Sequence, residues 1–244
     1  MTRLVSLGDS FSCGQGVGLG VELSRTWGGL LAAALPDCAW TPLAAPGART
    51  AAVREQQLPA ALAVRPDVAT VLTGLNDVIR SGFDARAVGA DLGHVVGALR
   101  SSGAIVLLAR LHDPTRVLRL AGPLRRAVHS RVDAINAAVD ETASATGALV
   151  LDLLQITGLD TSSSWAVDRL HPSPAGHRAM AVAAATALRS VGVAVHVDAV
   201  LPGPAPAPGV VETMGWLLRH GVPWGAAHAR SVGLPLLAAV GRQH

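Results

Sequence analysis

Short apolar runs alternate with longer amphipathic stretches along most of this chain. Leu4 to Leu7 is a brief apolar run that ends at Gly8-Asp9-Ser10, which predicts a buried strand closed by a turn. Thr26 to Leu35 places Trp27, Leu30, Leu31, Ala34 and Leu35 on one helical face, and Pro36 stops the helix. A second strand is expected over Ala39 to Ala44, ahead of Pro46-Gly47. Thr50 then caps a helix to about Val64, kinked at Pro59. Val68 to Thr73 reads as a third strand running into Gly74-Leu75-Asn76-Asp77.

The same grammar continues. Ala85 to Arg100 is helical with Val88, Leu92, Val95, Val96 and Leu99 inward, and Ile105 to Leu108 is a fourth strand. A long helix from Gly122 to Thr146 precedes a fifth strand, Ala148 to Leu151. A polar loop from Gly158 to Ser173 leads into a helix to about Arg189, opened by the cap-and-first-turn pair Ser173-Pro174. Strands alternating with helices predict a parallel sheet covered on both faces, within one α/β domain over residues 1–200. Residues 201–209 form a linker rich in Pro, Ala and Gly. Residues 210–244 follow as a helical extension marked by Met214, Trp216, Leu217, Leu218 and Trp224, expected to dock on the main domain.

Composition narrows the chemistry. Half of the 244 residues are hydrophobic and 15% are charged, which suits a single sizeable core rather than disorder. All 20 basic residues are arginine, so a lysine Schiff base and a Walker-type phosphate loop are both excluded. The arginines are scattered and the net charge is only +3, so no nucleic-acid-binding stripe is present. Cys13 and Cys38 are too few for a disulfide framework or a zinc site, and they are read as reduced, with a single bridge left open. The first strand begins almost at Met1 and no apolar run is long enough for a membrane span, so a cytoplasmic location is expected. The loop Cys13 to Gly20 is rich in glycine, but Leu19 stands where a dinucleotide fingerprint needs its third glycine.

Four short motifs fall at predicted strand ends or in loops beyond the sheet: Gly8-Asp9-Ser10, Pro46-Gly47, Gly74-Leu75-Asn76-Asp77 and Asp168-Arg169-Leu170-His171. A serine becomes a nucleophile only beside a base, which His171 can supply, and Asp168 can fix the histidine tautomer. A tetrahedral oxyanion requires donors already aimed at it, and the Ser10 and Gly47 N–H groups with the Asn76 amide are the candidates. Asp9 is read as a loop organiser and Asp77 as structural, and His94, His112, His129 and His177, which lack metal-ligand spacing, are read as structural or solvent-facing. His112-Asp113, after the fourth strand, is placed near the site by position. Trp165 is read either as a substrate-pocket wall or as core.

The order and spacing of these motifs resembles the SGNH hydrolase (GDSL-type lipase/esterase) family over roughly residues 3–190. The resemblance implies a three-layer α/β/α sandwich of the SGNH/flavodoxin-like kind with a central, mostly five-stranded parallel sheet. It implies Ser10 as nucleophile, His171 as general base and then acid, Asp168 as its partner, and Ser10, Gly47 and Asn76 around the oxyanion. Cleavage of a small-molecule or lipid ester is the implied activity, without metal or cofactor. Acyl transfer on the same site and a non-catalytic ligand-binding member of the fold are the alternatives. Pro42 stands where family members often carry an asparagine before the second-block glycine, a departure that touches loop support more than chemistry.

Overall fold

The computed structural model describes residues 1–16, 19–116, 121–197, 208–223 and 226. Its first strand, β1 (Thr2–Gly8), is followed by a single helical turn, α1 (Ser10–Cys13), and a minimal hairpin of β2 (Gln15–Gly16) and β3 (Leu19–Gly20). Next come α2 (Trp27–Ala34), β4 (Cys38–Pro42), and a helix built of α3 (Thr50–Ala52), a π turn over Val53–Gln57 and α4 (Leu58–Val64). The series β5 (Val68–Leu72), α5 (Leu75–Ile79), α6 (Ala85–Ser101), β6 (Ile105–Arg110), α7 (Gly122–Thr146), β7 (Leu149–Asp152) and α8 (Pro174–Ser190) completes the domain. Each predicted strand and long helix is present, most displaced by one or two residues at an end.

The five main strands are all parallel and run in the order β4-β1-β5-β6-β7. Helices α2 and α8 pack together on one face, while α4, α6 and α7 cover the other, giving the expected α/β/α sandwich. The chain leaves β1 toward β4 on one side and returns to β5 on the other, so the order reverses beside β1. Ligand crevices in open α/β sheets form at such a reversal, outside the carboxyl ends of the strands. Segments following β1, β4 and β5 carry Ser10, Gly47 and Asn76 to that rim.

Local chemistry explains the boundaries. Thr26 caps α2 by accepting from the Gly29 N–H, Asp84 caps α6 through the Arg86 and Ala87 N–H groups, and Ser173 caps α8 through those of Ala175 and Gly176. The predicted inner stripe of α6 is buried as read: Val88, Leu92, Val95, Val96 and Leu99. Strand β4 stops at Pro42 rather than Ala44, because Leu43 and Ala44 both donate to the Ser6 carbonyl and leave the regular ladder. The kink expected at Pro59 takes the form of a π turn immediately before it, in which the Leu58 N–H reaches the Val53 carbonyl. Proline lacks an N–H and crowds the preceding turn, and a wider turn relieves both.

That π turn carries Gln57, a residue the sequence does not single out. Its side-chain Oε1 accepts from the Gly8 N–H at 2.8 Å and its Nε2 donates to the Gly8 carbonyl at 2.9 Å, both buried. Gly8 itself has φ +142°, and a Cβ there would lie 2.0 Å from the Leu72 carbonyl oxygen of the neighbouring strand. The end of β1 is therefore gripped from two sides.

Cys13 and Cys38 are both free thiols. Beyond the domain lies α9 (Val210–Trp216), with a further π turn over Leu217–Gly221. None of the residues of α9 is buried, and Val210, Val211 and Leu218 are largely exposed. The contact found with the main domain includes an Arg169 guanidinium donating to the Pro208 carbonyl at 3.4 Å. Residues 201–207 of the linker, Trp224 and residues 227–244 fall outside the described residues, as do Val17 and Gly18 of the glycine-rich loop. Among the described residues no helix is long and apolar enough to cross a membrane.

The Gly8 grip can be tested by equilibrium urea unfolding. Gln57→Leu leaves the buried Gly8 N–H without its side-chain acceptor, while the Gly8 carbonyl keeps the Ala45 N–H, and is expected to cost about 1–3 kcal/mol. Gly8→Ala meets a backbone oxygen that cannot step aside and is expected to cost more. A loss below about 1 kcal/mol for both variants contradicts this account.

Candidate active site

Ser10 is the first residue of α1, immediately past β1, and Asp9 is the helix cap. The Asp9 Oδ1 accepts from the Phe11 N–H at 3.0 Å, which turns the chain sharply and leaves Ser10 at the rim. From the far end of the chain, His171 Nε2 lies 2.8 Å from Ser10 Oγ. His171 Nδ1 lies 2.5 Å from Asp168 Oδ2. The pairing is consistent with one tautomer: the serine hydroxyl donates to Nε2 while Nδ1–H donates to the carboxylate. Asp168 Oδ1 accepts from the Leu170 and His171 N–H groups, each at 3.0 Å, so both carboxylate oxygens are committed.

The loop that presents this pair is tightly tied. The Ala166 N–H donates to the His171 carbonyl, the Arg169 N–H donates to the Ala166 carbonyl, and Trp165 and Pro172 form an antiparallel bridge. Arg169 takes a left-handed conformation, φ 57°, at the tip. The helix cap Ser173 also donates its hydroxyl to the Ser163 carbonyl at 2.6 Å, fastening the start of α8 to the loop.

Around Ser10, Asp9 does more than cap. Its Oδ2 accepts from the Asn76 Nδ2 at 3.1 Å, so one buried carboxylate holds both the serine turn and the Asn76 amide. Asn76 sits in the first turn of α5, behind Gly74 at the β5 end, and has a second amide hydrogen to offer. Burial pushes the Asp9 carboxyl up to about 6, opposed by the Phe11 N–H, by His171 and by Asn76. Asp77 points away: its Oδ2 accepts from both the N–H and the hydroxyl of Thr50 at 3.0 Å. Burial raises that carboxyl too, against those same bonds. Gly47 follows β4 with φ +73°, and the Arg80 guanidinium lies against the position a Cβ would take. Among the described residues no protein acceptor is bonded to the Ser10 or Gly47 N–H.

A cavity of about 300 Å³ opens beside Ser10 and His171, its walls including Val21, Trp165, Val167, His177 and Glu212. Trp165 fits both of its readings. It is 2% exposed with its Nε1–H donated to the Leu159 carbonyl, yet it contributes to the cavity wall. Beside it the His112 ring packs at a tilt, its centroid 4.4 Å from that of Trp165 and 5.3 Å from that of Phe11. Burial drives the His112 imidazole down to about 3, so it is neutral packing. Its neighbour Asp113 turns instead to His129 Nδ1 at 3.0 Å. Gln57 and His177 are the residues of the site region whose part was not legible. The only signal for His177 was its place on the first turn after the Ser173-Pro174 cap.

The position of Asp9 has a pH signature. Its folded value, about 6, lies above the ordinary 3.8, so between those values the folded protein binds more protons than the unfolded chain. Stability contributed by this group is then present at low pH and lost as pH rises through about 6. Asp9→Asn removes that titration. Measured by urea unfolding, its stability relative to wild type is expected to rise between about pH 4.5 and about pH 8. A difference independent of pH would contradict the burial argument.

Comparison with known proteins agrees with this architecture. The structure resembles that of TesA, at 22% identity with a TM-score of 0.63, covering 78% of this chain and 99% of the other. It also resembles the esterase EstA from Pseudoalteromonas sp., at 16% identity with a TM-score of 0.61, covering 78% and 98%. A third relative by structure is Axe2, an acetylxylan esterase from Geobacillus stearothermophilus, at 22% identity with a TM-score of 0.59, covering 78% and 94%. At these identities the likeness speaks for the fold alone. No curated protein matches the sequence at a significant level. Residues 6–179, which hold Ser10, Gly47, Asn76, Asp168 and His171, match a family profile, and the chain belongs to the GDSL-like Lipase/Acylhydrolase family.

Proposed function

We propose that this protein hydrolyses carboxylic esters through an acyl-serine intermediate. The observation that carries the reading is the continuous hydrogen-bonded line from Ser10 Oγ through His171 to Asp168, assembled from residues 161 positions apart. Ser10 Oγ attacks the ester carbonyl as its proton passes to His171 Nε2. The negative oxygen is received by the Ser10 and Gly47 N–H groups and the free hydrogen of the Asn76 amide. His171 returns the proton to the departing alcohol, then takes one from water as that water attacks the acyl carbonyl. Collapse of this second intermediate breaks the bond to Ser10 Oγ, to which His171 hands the proton back, and the acid is released. Asp168 keeps the imidazole in the required tautomer and stabilises its cationic form.

The cavity supports a modest substrate. About 300 Å³ lies at the lower end of the range for small-molecule sites, and its walls combine apolar residues such as Val21, Trp165 and Val167 with the polar groups of Ser10, His171, Ser173, His177 and Glu212.

Hydrolysis of p-nitrophenyl esters from acetate to palmitate tests the proposal. Wild type is expected to turn over short esters best and to be labelled at Ser10 by a fluorophosphonate. Ser10→Ala is expected to lose labelling and nearly all turnover, and Asp168→Asn to lose about 10⁴-fold in kcat with the fold intact. A folded wild type that is neither labelled nor active would overturn the proposal, and labelling without turnover would redirect the search to other acyl substrates.

A further inference from the structure

His177 is 1% exposed, yet it contributes to the wall of the cavity that holds Ser10 and His171. Its Nδ1 accepts from the Trp27 N–H at the start of α2, at 3.2 Å. A nitrogen that accepts from a backbone amide carries no proton, so in the neutral ring the proton is on Nε2. Burial holds the ring neutral, pushing the imidazole down to about 3. Nε2 has no protein partner among the described residues, and it is not among the polar atoms sealed away from solvent. The small exposed part of this side chain is therefore an N–H donor turned to the cavity.

The cavity's place relative to the chemistry says which half of the ester meets that donor. Its lining includes His171 but neither Gly47 nor Asn76. His171 must deliver a proton to the departing alcohol oxygen, so the alcohol lies on the His171 side of the tetrahedral centre.

Building on the ester-hydrolase reading above, we propose that this cavity takes the alcohol half of the substrate and that His177 Nε2–H donates to a second oxygen on it. The preferred substrates are then esters of oxygen-bearing alcohols rather than of plain alkyl alcohols. A fixed donor in a partly apolar wall discriminates well, because an alkyl group in its place leaves the N–H unpaired. The role is one of specificity: His177 touches the substrate away from the bond being broken.

A matched pair isolates it. n-Butyl acetate and 2-methoxyethyl acetate share an acyl group and differ by one methylene replaced with an ether oxygen, which can only accept. The ratio of their kcat/KM values is compared with the ratio of their rates of hydrolysis by hydroxide, which corrects for leaving-group reactivity. Wild type is expected to favour the methoxyethyl ester about five- to tenfold beyond the hydroxide ratio. His177→Phe is expected to bring the ratio back to that of hydroxide. His177→Gln, whose amide can both accept from Trp27 and donate to the cavity, is expected to keep most of the preference.

A wild-type ratio equal to that of hydroxide overturns the proposal, without needing any variant to fold. So does a folded His177→Phe that keeps the wild-type ratio. Fluorophosphonate labelling of Ser10 separates the two levels. Labelled enzyme with no preference overturns only the role of His177, whereas unlabelled wild type inert to both esters overturns the hydrolase reading and this one with it.

Discussion

The 2.8 Å between Ser10 Oγ and His171 Nε2 is the constraint on which the arrangement turns. The two atoms arrive from opposite ends of the domain, one just past the first strand and the other on the loop before α8. Neither end has latitude. The β1 terminus is gripped by Gln57 and by the Leu72 carbonyl, which Gly8 alone can approach. The His171 loop is held by its own bridges and by the Ser173 cap. A hydrogen bond weakens over a few tenths of an ångström, so two long-range anchors are needed for one short contact.

The sheet supplies the rest of the precision. Because β1 lies between β4 and β5, the segments leaving all three strands converge on one rim, and Asp9 ties two of them together through a single carboxylate. Burying that carboxylate is unfavourable, as its raised titration shows. The unfavourable burial is tolerated because the same two oxygens set the serine turn and the Asn76 amide. Asp77, one residue beyond Asn76, serves the same rim in another direction by fastening Thr50, where the helix bearing Gln57 begins.

The fold and the constellation were legible because both are written in local patterns. Alternating apolar runs and helical stripes marked the five strands and the long helices, and Ser173-Pro174 stood where α8 begins. Thr50, expected as a cap, is instead the first residue of α3 and gives its hydroxyl to Asp77. The motif residues were legible because chemistry needs those residue types and topology places them at strand ends. What was hidden depends on approach between distant segments. Gln57 looks like an ordinary helix glutamine, and only the π turn before Pro59 and its contact with Gly8, 49 residues away in the chain, reveal its work. His177 looked structural because half of it is: the ring nitrogen bound to Trp27 is core, and the other meets the cavity. No periodicity encodes that division.

The two margins of the main sheet bear on how copies of this chain meet. One margin is β4, five residues long and ending in Pro42, which has no N–H to offer another strand. The other is β7, only four residues, closed by Asp152 in an ion pair with Arg110. Short, interrupted margins are poor templates for strand addition. Crowded together at high concentration, these molecules have little means of growing a continuous sheet from one to the next, so aggregation by that route is disfavoured at both margins.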